Sequence, residues 1–406
     1  MTRAAIRKDF LTFGAPSIGP EEMDEVAATL ESGWLGTGPR VARFERDFAA
    51  YKGVEQALAT NSCTAALHLS LASAGVGPGD EVITTPLTFC ATVNAILHVG
   101  ATPVLADVDP RSMNVDANRI EAAITSRTKA VLPVHFAGRP CAMDEISAIA
   151  HDRNLVVIED CAHAIESEYR GRKAGTLGDF GCFSFYATKN MTTGEGGMLL
   201  ASSPEASERA RRLSLHGMSR DAWKRFSADG YRHYEVVEAG FKYNMTDLQA
   251  ALGIHQLRRL EGFWLRRREI WNQYQRALAD LPLTLPAEPE PDTRHACHLY
   301  TVLVDERRSG RTRDDVIVAL TRRNIGVGVH YQALPEHAFY QQQLGWKPDQ
   351  WPHATRIGRQ TVSLPLAPRM TDADVADVIA AVRDVFRASA RLTPSLPGAI
   401  SIPGEP

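Results

Sequence analysis

Six cysteines stand at positions 63, 90, 141, 161, 182 and 297, and they include no Cys-x-x-Cys pair and no ligand-like spacing with the 13 histidines. Reduced thiols and no metal are therefore expected. A formal charge of -3 at pH 7 leaves no concentrated positive charge for nucleic acid or an anionic membrane. The one basic cluster, Arg258, Arg259, Arg266, Arg267 and Arg268, sits in a helical pattern and reads as a solvated or subunit-facing surface. No segment approaches the apolar length that spans a bilayer, and the N-terminus MTRAAIRKDF carries no long apolar stretch. A soluble, unexported, cytoplasmic protein is the expectation, with neither nucleic acid nor membrane as a partner.

Common catalytic signatures are missing as well. There is no Gly-x-Ser-x-Gly nucleophile elbow and no Gly-x-x-x-x-Gly-Lys-Ser/Thr phosphate loop. The glycines at 75, 77 and 79 follow a helical pattern instead of a strand, which argues against a dinucleotide fingerprint. No internal repeat is visible.

What is present is ordinary globular composition, 44% hydrophobic and 23% charged over 406 residues, in a chain longer than one compact core usually takes. From about Glu55 to Ala201 short apolar runs alternate with helical patterns, as in a buried, mostly parallel sheet with crossover helices. Strands are expected at Gln56–Thr60, Glu81–Thr85, Thr102–Asp107, Lys129–His135, Leu155–Asp160, Gly181–Phe185 and Met198–Ala201. Helices are expected at Thr64–Ser73, Thr88–His98 and Ala142–His151. After Thr246 a long helical pattern runs to Leu278, and the proline-rich stretch Pro282–Pro291 ends it, because proline disfavours continued helix. The expected division is a large domain over 1–281, including the N-terminal segment and the long helix, and a smaller α+β domain over 282–392. That small domain would hold strands at Leu299–Val304 and Gly326–Tyr331 and helices at Asp314–Arg323 and Asp372–Phe386. Residues 393–406, with four prolines, read as a loose tail.

Three segments carry possible chemistry. Between a strand and a helix start, Thr60, Asn61, Ser62, Cys63 and Thr64 offer backbone N–H groups suited to a phosphate, although an ordinary helix N-cap reads the same way. The run Leu155 to Ile158 ends in Glu159 and Asp160, an acid at the carboxyl end of a buried strand, where ligands of open α/β sheets gather. Such a carboxylate needs a cation or hydrogen bonds, and it could equally cap the next turn. His163 follows three residues on, either beside a ligand or simply structural. The sharpest segment runs from Phe183 to Gly197: Lys189 follows an apolar strand and precedes Gly194, Gly196 and Gly197, so its amine can lie inside a site while the backbone bends around a ligand. A partly desolvated lysine is a nucleophile and proton shuttle, and Ser184 could add a phosphate contact.

The order of phosphate loop, Asp160 and Lys189 resembles the fold-type I pyridoxal-phosphate (PLP) enzymes, and more narrowly the sugar-nucleotide aminotransferases of the DegT/StrS type. The likeness runs from about Gly33 to Val382. It rests on GWLGTGPRVARFE, NSCTAALHLSLASAGVGPGDEVITTPLTFCAT, GATPVLADVD, IEDCAHA, FSFYATKN followed by GEGG, HGMSRD, and GFKYNMTDLQAALG. The resemblance implies a mostly parallel seven-stranded sheet flanked by helices, with PLP held by Lys189 as a Schiff base. It further implies that the released lysine moves the substrate proton and that Asp160 pairs with the ring nitrogen. Phe89 would stack on the ring and His163 would address its phenolic oxygen; Cys63, Thr64 and Ser184 would hold the phosphate.

The family completes this site from a second subunit, implying a homodimer. Many relatives read Asn-Tyr-Arg where this chain has Lys242, Tyr243 and Asn244, so either Lys242 or Asn244 would reach the neighbour's phosphate. Tyr186 and His330 fall where substrate contacts are expected, or packing. The Lys-Tyr-Asn version, with GWLGTGP and the Asp-Cys-Ala-His stretch, is most similar to the branch that makes UDP-4-amino-4-deoxy-L-arabinose. That implies amino transfer from glutamate to a nucleotide-linked 4-keto sugar in amino-sugar biosynthesis. Other readings of the same motifs are a 3-keto sugar nucleotide or cyclitol ketone as acceptor, and a PLP-binding regulator without catalysis. The related sugar 3-dehydratases carry histidine where this chain has Lys189.

Overall fold

The computed structural model describes residues 6–219 and 234–387. The expected tail at 393–406, and Arg220 and Asp221 of the HGMSRD run, lie outside them.

The strands of the first half are β1 (Leu58–Thr60), β2 (Glu81–Thr84), β3 (Thr102–Leu105), β4 (Thr128–Val131), β5 (Val156–Asp160), β6 (Glu168–Tyr169), β7 (Arg172–Lys173), β8 (Phe180–Ser184) and β9 (Gly197–Ala201). Seven of them form one sheet in the order β1-β9-β8-β5-β4-β2-β3, and these are the seven strands expected from sequence. From β8 to β3 all pairings are parallel, while β9 runs antiparallel to both β8 and β1. The reason is local. Parallel neighbours need a long crossover, usually helical, whereas β8 returns to β9 through the irregular loop that carries Lys189.

Both faces of the sheet are covered, which explains strands buried nearly throughout, such as β2 and β8. On one face the helix Cys63–Ser73 packs Ala66, Leu67, Leu69 and Leu71 against Val82, Leu132, Ile158 and Cys182. On the other, Phe44 and Phe48 of helix Pro39–Lys52 meet Phe183 and Phe185, with the Phe44 and Phe185 rings 5.3 Å apart. The long helix Asp247–Leu278 closes this layer, and Thr246 caps it in a reciprocal pair with Gln249. Gly253 lets it approach, since a Cβ there would lie 2.7 Å from the Phe44 ring.

The same helix continues into a second core, where Ile270, Trp271, Tyr274 and Leu278 pack with C-terminal residues such as Val302, Leu320, Val362 and Val378. That core surrounds an antiparallel sheet of β10 (Leu283–Thr284), β12 (Tyr300–Val304) and β13 (Thr361–Leu364), in the order β10-β12-β13. A further short strand, β11 (Thr293–Arg294), pairs with β6.

Two sequence expectations fail. Gly326–Tyr331 is not a strand: only Gly328 pairs, exchanging both backbone bonds with Ser363, and the third strand is instead β13. Gly326 and Gly328 offer no side chains to a sheet face, and a Cβ on Gly326 would lie 2.8 Å from the carbonyl oxygen of Leu11. The arginine cluster is not uniformly a surface either, because Arg267 is buried and ion-paired with buried Glu166. Its guanidinium meets Glu166 and the carbonyl oxygen of Asn190, in the loops after β5 and β8, where a buried cation must find an anion.

Candidate active site

Lys189 lies in the loop from β8 to β9, between two backbone anchors. Phe185 N–H donates to Gly196 O and Thr193 N–H donates to Phe185 O, each at 2.9 Å, which pins the base of the loop while its tip bends. Burial lowers the Lys189 amine from its ordinary value to about 8, against the opposing pull of Cys63 and Asp160. A useful fraction of neutral amine is therefore present near neutral pH.

Successive residues of β5 face opposite sides, so Glu159 and Asp160 have separate fates. Glu159 turns away and accepts from His135 at 2.9 Å and from the N–H groups of Gly175, Leu177 and Gly178 at 2.7 to 2.8 Å. Burial opposes its charge most strongly, yet these bonds hold its carboxyl below the usual range. His135, Glu159 and Cys161 do group ligand-type atoms within 4.8 Å of one another, but with these four partners Glu159 serves as a structural clamp. Asp160 has fewer partners: Thr92 Oγ1 donates to Oδ2 at 2.9 Å and Ala162 N–H to Oδ1 at 3.1 Å. Burial pushes its carboxyl up, with these bonds and the Lys189 charge pulling it back. A buried acid in that condition suits a cationic ring nitrogen.

At the start of the helix Cys63–Ser73, the Ser62 side chain caps Ala65 N–H at 3.1 Å, so the N-cap reading holds for Ser62. The N–H groups of Cys63 and Thr64 have no partner among the described residues. Gly197 joins this helix to Ser184: it pairs with Ser184 in the sheet, and a Cβ on it would lie 2.5 Å from Ser62 C and 2.6 Å from Cys63 N. Only glycine permits that contact, and it sets Ser184 beside the helix start. The cradle of backbone donors, hydroxyl, acid and buried amine fits PLP.

His163 is buried and neutral, its pKa driven well below the ordinary value by burial first and by Lys189 next. Its Nδ1 accepts from Ala137 N–H at 3.3 Å and its Nε2 faces the Tyr331 hydroxyl at 2.9 Å. Phe89 keeps 58% of its surface, its ring 6.0 Å from that of Tyr331, as an aromatic with a free face for stacking would. His330 stacks on Phe13 and bonds Ser363 Oγ at 2.8 Å; burial first and then Lys189 lower its pKa to about 4. Tyr186 is half exposed.

Lys242 and Asn244 lie at the edge beside β1. Lys242 Nζ donates to Asn244 Oδ1 at 2.5 Å and Asn244 Nδ2 to Thr37 Oγ1 at 2.6 Å. Asn61 N–H bonds Tyr243 O at 2.8 Å, tying that segment to the phosphate-loop candidate.

Sequence reasoning missed Thr92, Asn190, His298 and Tyr331. Thr92 had a faint mark in its spacing of four from Thr88, whose hydroxyl it meets at 2.8 Å. The others have none, since their partners are distant in sequence.

The comparisons with known proteins agree. Residues 16–383 match the model of the DegT/DnrJ/EryC1/StrS aminotransferase family. The chain is 52% identical over 382 residues to the spore coat polysaccharide biosynthesis protein SpsC of Bacillus subtilis (strain 168), covering 94% of this chain and 98% of that protein. It is also similar to a candidate sugar aminotransferase, Spr1654 of Streptococcus pneumoniae, solved in PLP and PMP forms. The PLP form shows a TM-score of 0.87 at 32% identity, with 94% of this chain and 99% of that one covered. PseC of Helicobacter pylori, an aminotransferase involved in pseudoaminic acid biosynthesis, gives a TM-score of 0.86 at 29% identity, covering 94% and 100%. With a matching family model over nearly its whole length and a fold-type I scaffold around Lys189, this chain belongs to the DegT/DnrJ/EryC1/StrS aminotransferase family and is a PLP-dependent aminotransferase of amino-sugar biosynthesis.

Proposed function

We propose that the chain transfers the amino group of glutamate to a nucleotide-linked sugar with a ketone at carbon 4, and works as a cytoplasmic homodimer with shared sites. The observation that carries this reading is the convergence of a partly neutral buried amine, Lys189, and a buried acid short of a cation, Asp160, at one sheet edge. PLP, when bound, supplies the carbonyl that holds the lysine and the electron sink that accepts the amino group and later returns it.

The chain's own residues do the rest. Lys189 Nζ holds the cofactor and, once free, carries the proton on the substrate carbon. Asp160 keeps the ring nitrogen positive, and Thr92 and Ala162 N–H fix the carboxylate in place for that task. The N–H groups of Cys63 and Thr64, with Ser184 Oγ, hold the phosphate, and Lys242 or Asn244 of the partner subunit completes that shell. Phe89 presents its face to the ring, and His163, whose Nε2 hydrogen reaches the Tyr331 hydroxyl, addresses the phenolic oxygen through that hydroxyl. Tyr186 and His330 contact the sugar. Support for carbon 4 lies in the Lys242-Tyr243-Asn244 version of the motif together with GWLGTGP; support for a sugar acceptor lies in the relatives named above.

Borohydride trapping with mass mapping tests the first half, and a label on a residue other than Lys189, or none, overturns it. Product analysis with glutamate and a panel of nucleotide-linked 4-keto sugars, 3-keto sugars and a cyclitol ketone tests the second. Amination confined to a 3-keto sugar or the cyclitol ketone refutes the carbon-4 assignment. Failure of glutamate to convert the bound cofactor refutes the donor.

A further inference from the structure

The chain ahead of the first helix crosses between the two cores. Arg7 pairs with Asp374 and Asp377 of the helix Asp372–Arg387. Leu11 N–H donates to Asn324 O and Leu11 O accepts from Gly326 N–H, each at 2.8 Å. Further on, Ser17 O accepts from Gln256 Nε2 at 2.8 Å and from Arg259 Nη2 at 2.9 Å, both on the long helix. Residues 12–16 are therefore strung between two anchored ends, and two of them touch residues of the site. Phe13 stacks on His330, with ring centroids 5.2 Å apart and planes at 29°. Gly14 passes Thr188, the residue before Lys189, so closely that a Cβ on it would lie 3.3 Å from Thr188 Cβ and 3.5 Å from its Cγ2.

His330 is held from two directions. Its Nδ1 bonds Ser363 Oγ at 2.8 Å and Phe13 covers one face, so the ring does not turn without losing one of these contacts. Gly328 makes room for the pair: a Cβ there would lie 2.7 Å from His330 Cε1 and 3.4 Å from Phe13 Cζ. His330 Nε2 has no hydrogen-bond partner among the described residues. Phe13 and Tyr331 pack on the same cluster, which includes Leu87, Phe136 and Leu299, and the Tyr331 hydroxyl reaches His163 at 2.9 Å. We propose that residues 12–14 form a wall of the active site and that Phe13 is a positioning residue, its ring fixing the His330 imidazole so that Nε2 meets a hydroxyl of the keto sugar. This rests on the reading of His330 as a sugar contact. Amino donor and sugar react in separate halves of the cycle, so an effect carried through a sugar contact falls mainly on one half.

The test is stopped-flow absorbance of PLP-loaded protein in its two half-reactions: glutamate converting the bound cofactor to the amino form, and the nucleotide-linked keto sugar that wild type aminates fastest in the panel above restoring it. Phe13→Ala and Phe13→Leu remove the flat face, and each should lower the second-order rate constant for the keto sugar about fivefold more than that for glutamate, the scale of one aromatic pair. His330→Ala should lower the keto-sugar constant as well, and adding Phe13→Leu to it should lower it no further, because the ring then has nothing to aim. A segment that merely braces the fold would slow both half-reactions alike, or its loss would multiply with that of His330→Ala; either result overturns the inference. Leucine keeps apolar volume against Leu87 and Phe136, so Phe13→Leu decides the matter should Phe13→Ala fail to fold. A keto-sugar constant unmoved in His330→Ala, or a panel in which no keto sugar is aminated, sinks the sugar-contact reading and this inference with it. A loss in His330→Ala without one in Phe13→Leu sinks the inference alone.

Discussion

Thr92 Oγ1 donates to Asp160 Oδ2 across 2.9 Å, from the first turn of the helix Cys90–His98 to the end of β5. A threonine is thereby spent on orienting one oxygen of a buried acid, and the acid's other oxygen is held by the backbone N–H of Ala162. The carboxylate cannot rotate without losing one of these bonds.

Replacing that hydroxyl by a methyl in Thr92→Val should weaken PLP binding by about tenfold, the scale of a lost hydrogen bond to a charged group, about 1.5 kcal/mol. The sign with pH follows. Burial already raises the Asp160 pKa and the Thr92 bond opposes it, so the variant is protonated at higher pH. Its loss of binding on acidification should begin at higher pH than in wild type, as read by visible titration of the cofactor.

Lys189 has a folded-state pKa of about 8, below its ordinary 10.5. The rate at which apoprotein captures PLP should rise with pH and level off above about 8, as stopped-flow absorbance would show. Between those two values the unfolded chain binds the extra proton, so the apoprotein should also gain stability as pH rises from 8 toward 10.5. A capture rate flat from pH 6 to 9 would contradict the buried setting of the amine.

Gly197→Ala should lose cofactor without losing the fold family. The added Cβ meets backbone atoms of Ser62 and Cys63 at 2.5 to 2.6 Å, which cannot rotate aside as a side chain could. Moving β9 from the helix start separates Ser184 from the N–H groups of Cys63 and Thr64. Retention of PLP on gel filtration should fall sharply, while the far-ultraviolet circular dichroism stays close to wild type.

Arg267→Met leaves Glu166 as an uncompensated buried charge, which costs about 3–5 kcal/mol. Urea denaturation should show that loss, and Glu166→Gln in the same background should recover part of it. Additive losses in the double variant would mean that the pair is not coupled.

How much of this was readable from the chain differs from one residue to the next. The seven strands of the main sheet were legible because each is a short apolar run buried on both faces, and no other local structure tolerates such a run between turn residues. That Asp160 closes one such strand and Lys189 stands in the loop beyond another was legible from the apolar runs before them, and ligands of open α/β sheets gather at those strand ends. The long helix and its cap at Thr246 were written in local periodicity and in Gln249 three residues on.

Tertiary structure alone decided the rest. That Arg267 is a buried partner and its neighbour Arg266 is not depends on which side of the helix meets the loops after β5 and β8, and the distant Glu166 settles it. Gly326–Tyr331 carries apolar and aromatic residues like a strand, yet its hydrogen-bond partners, Leu11 and Ser363, come from opposite ends of the chain and hold it irregular. The orientation of His298 is set by Asn190, 108 positions away, and that of Asp160 by Thr92, 68 positions away. A sequence determines where short-range pattern forces strand, turn and helix; which polar atoms then meet is determined by packing, because a hydrogen bond between remote residues leaves no periodic trace in the chain.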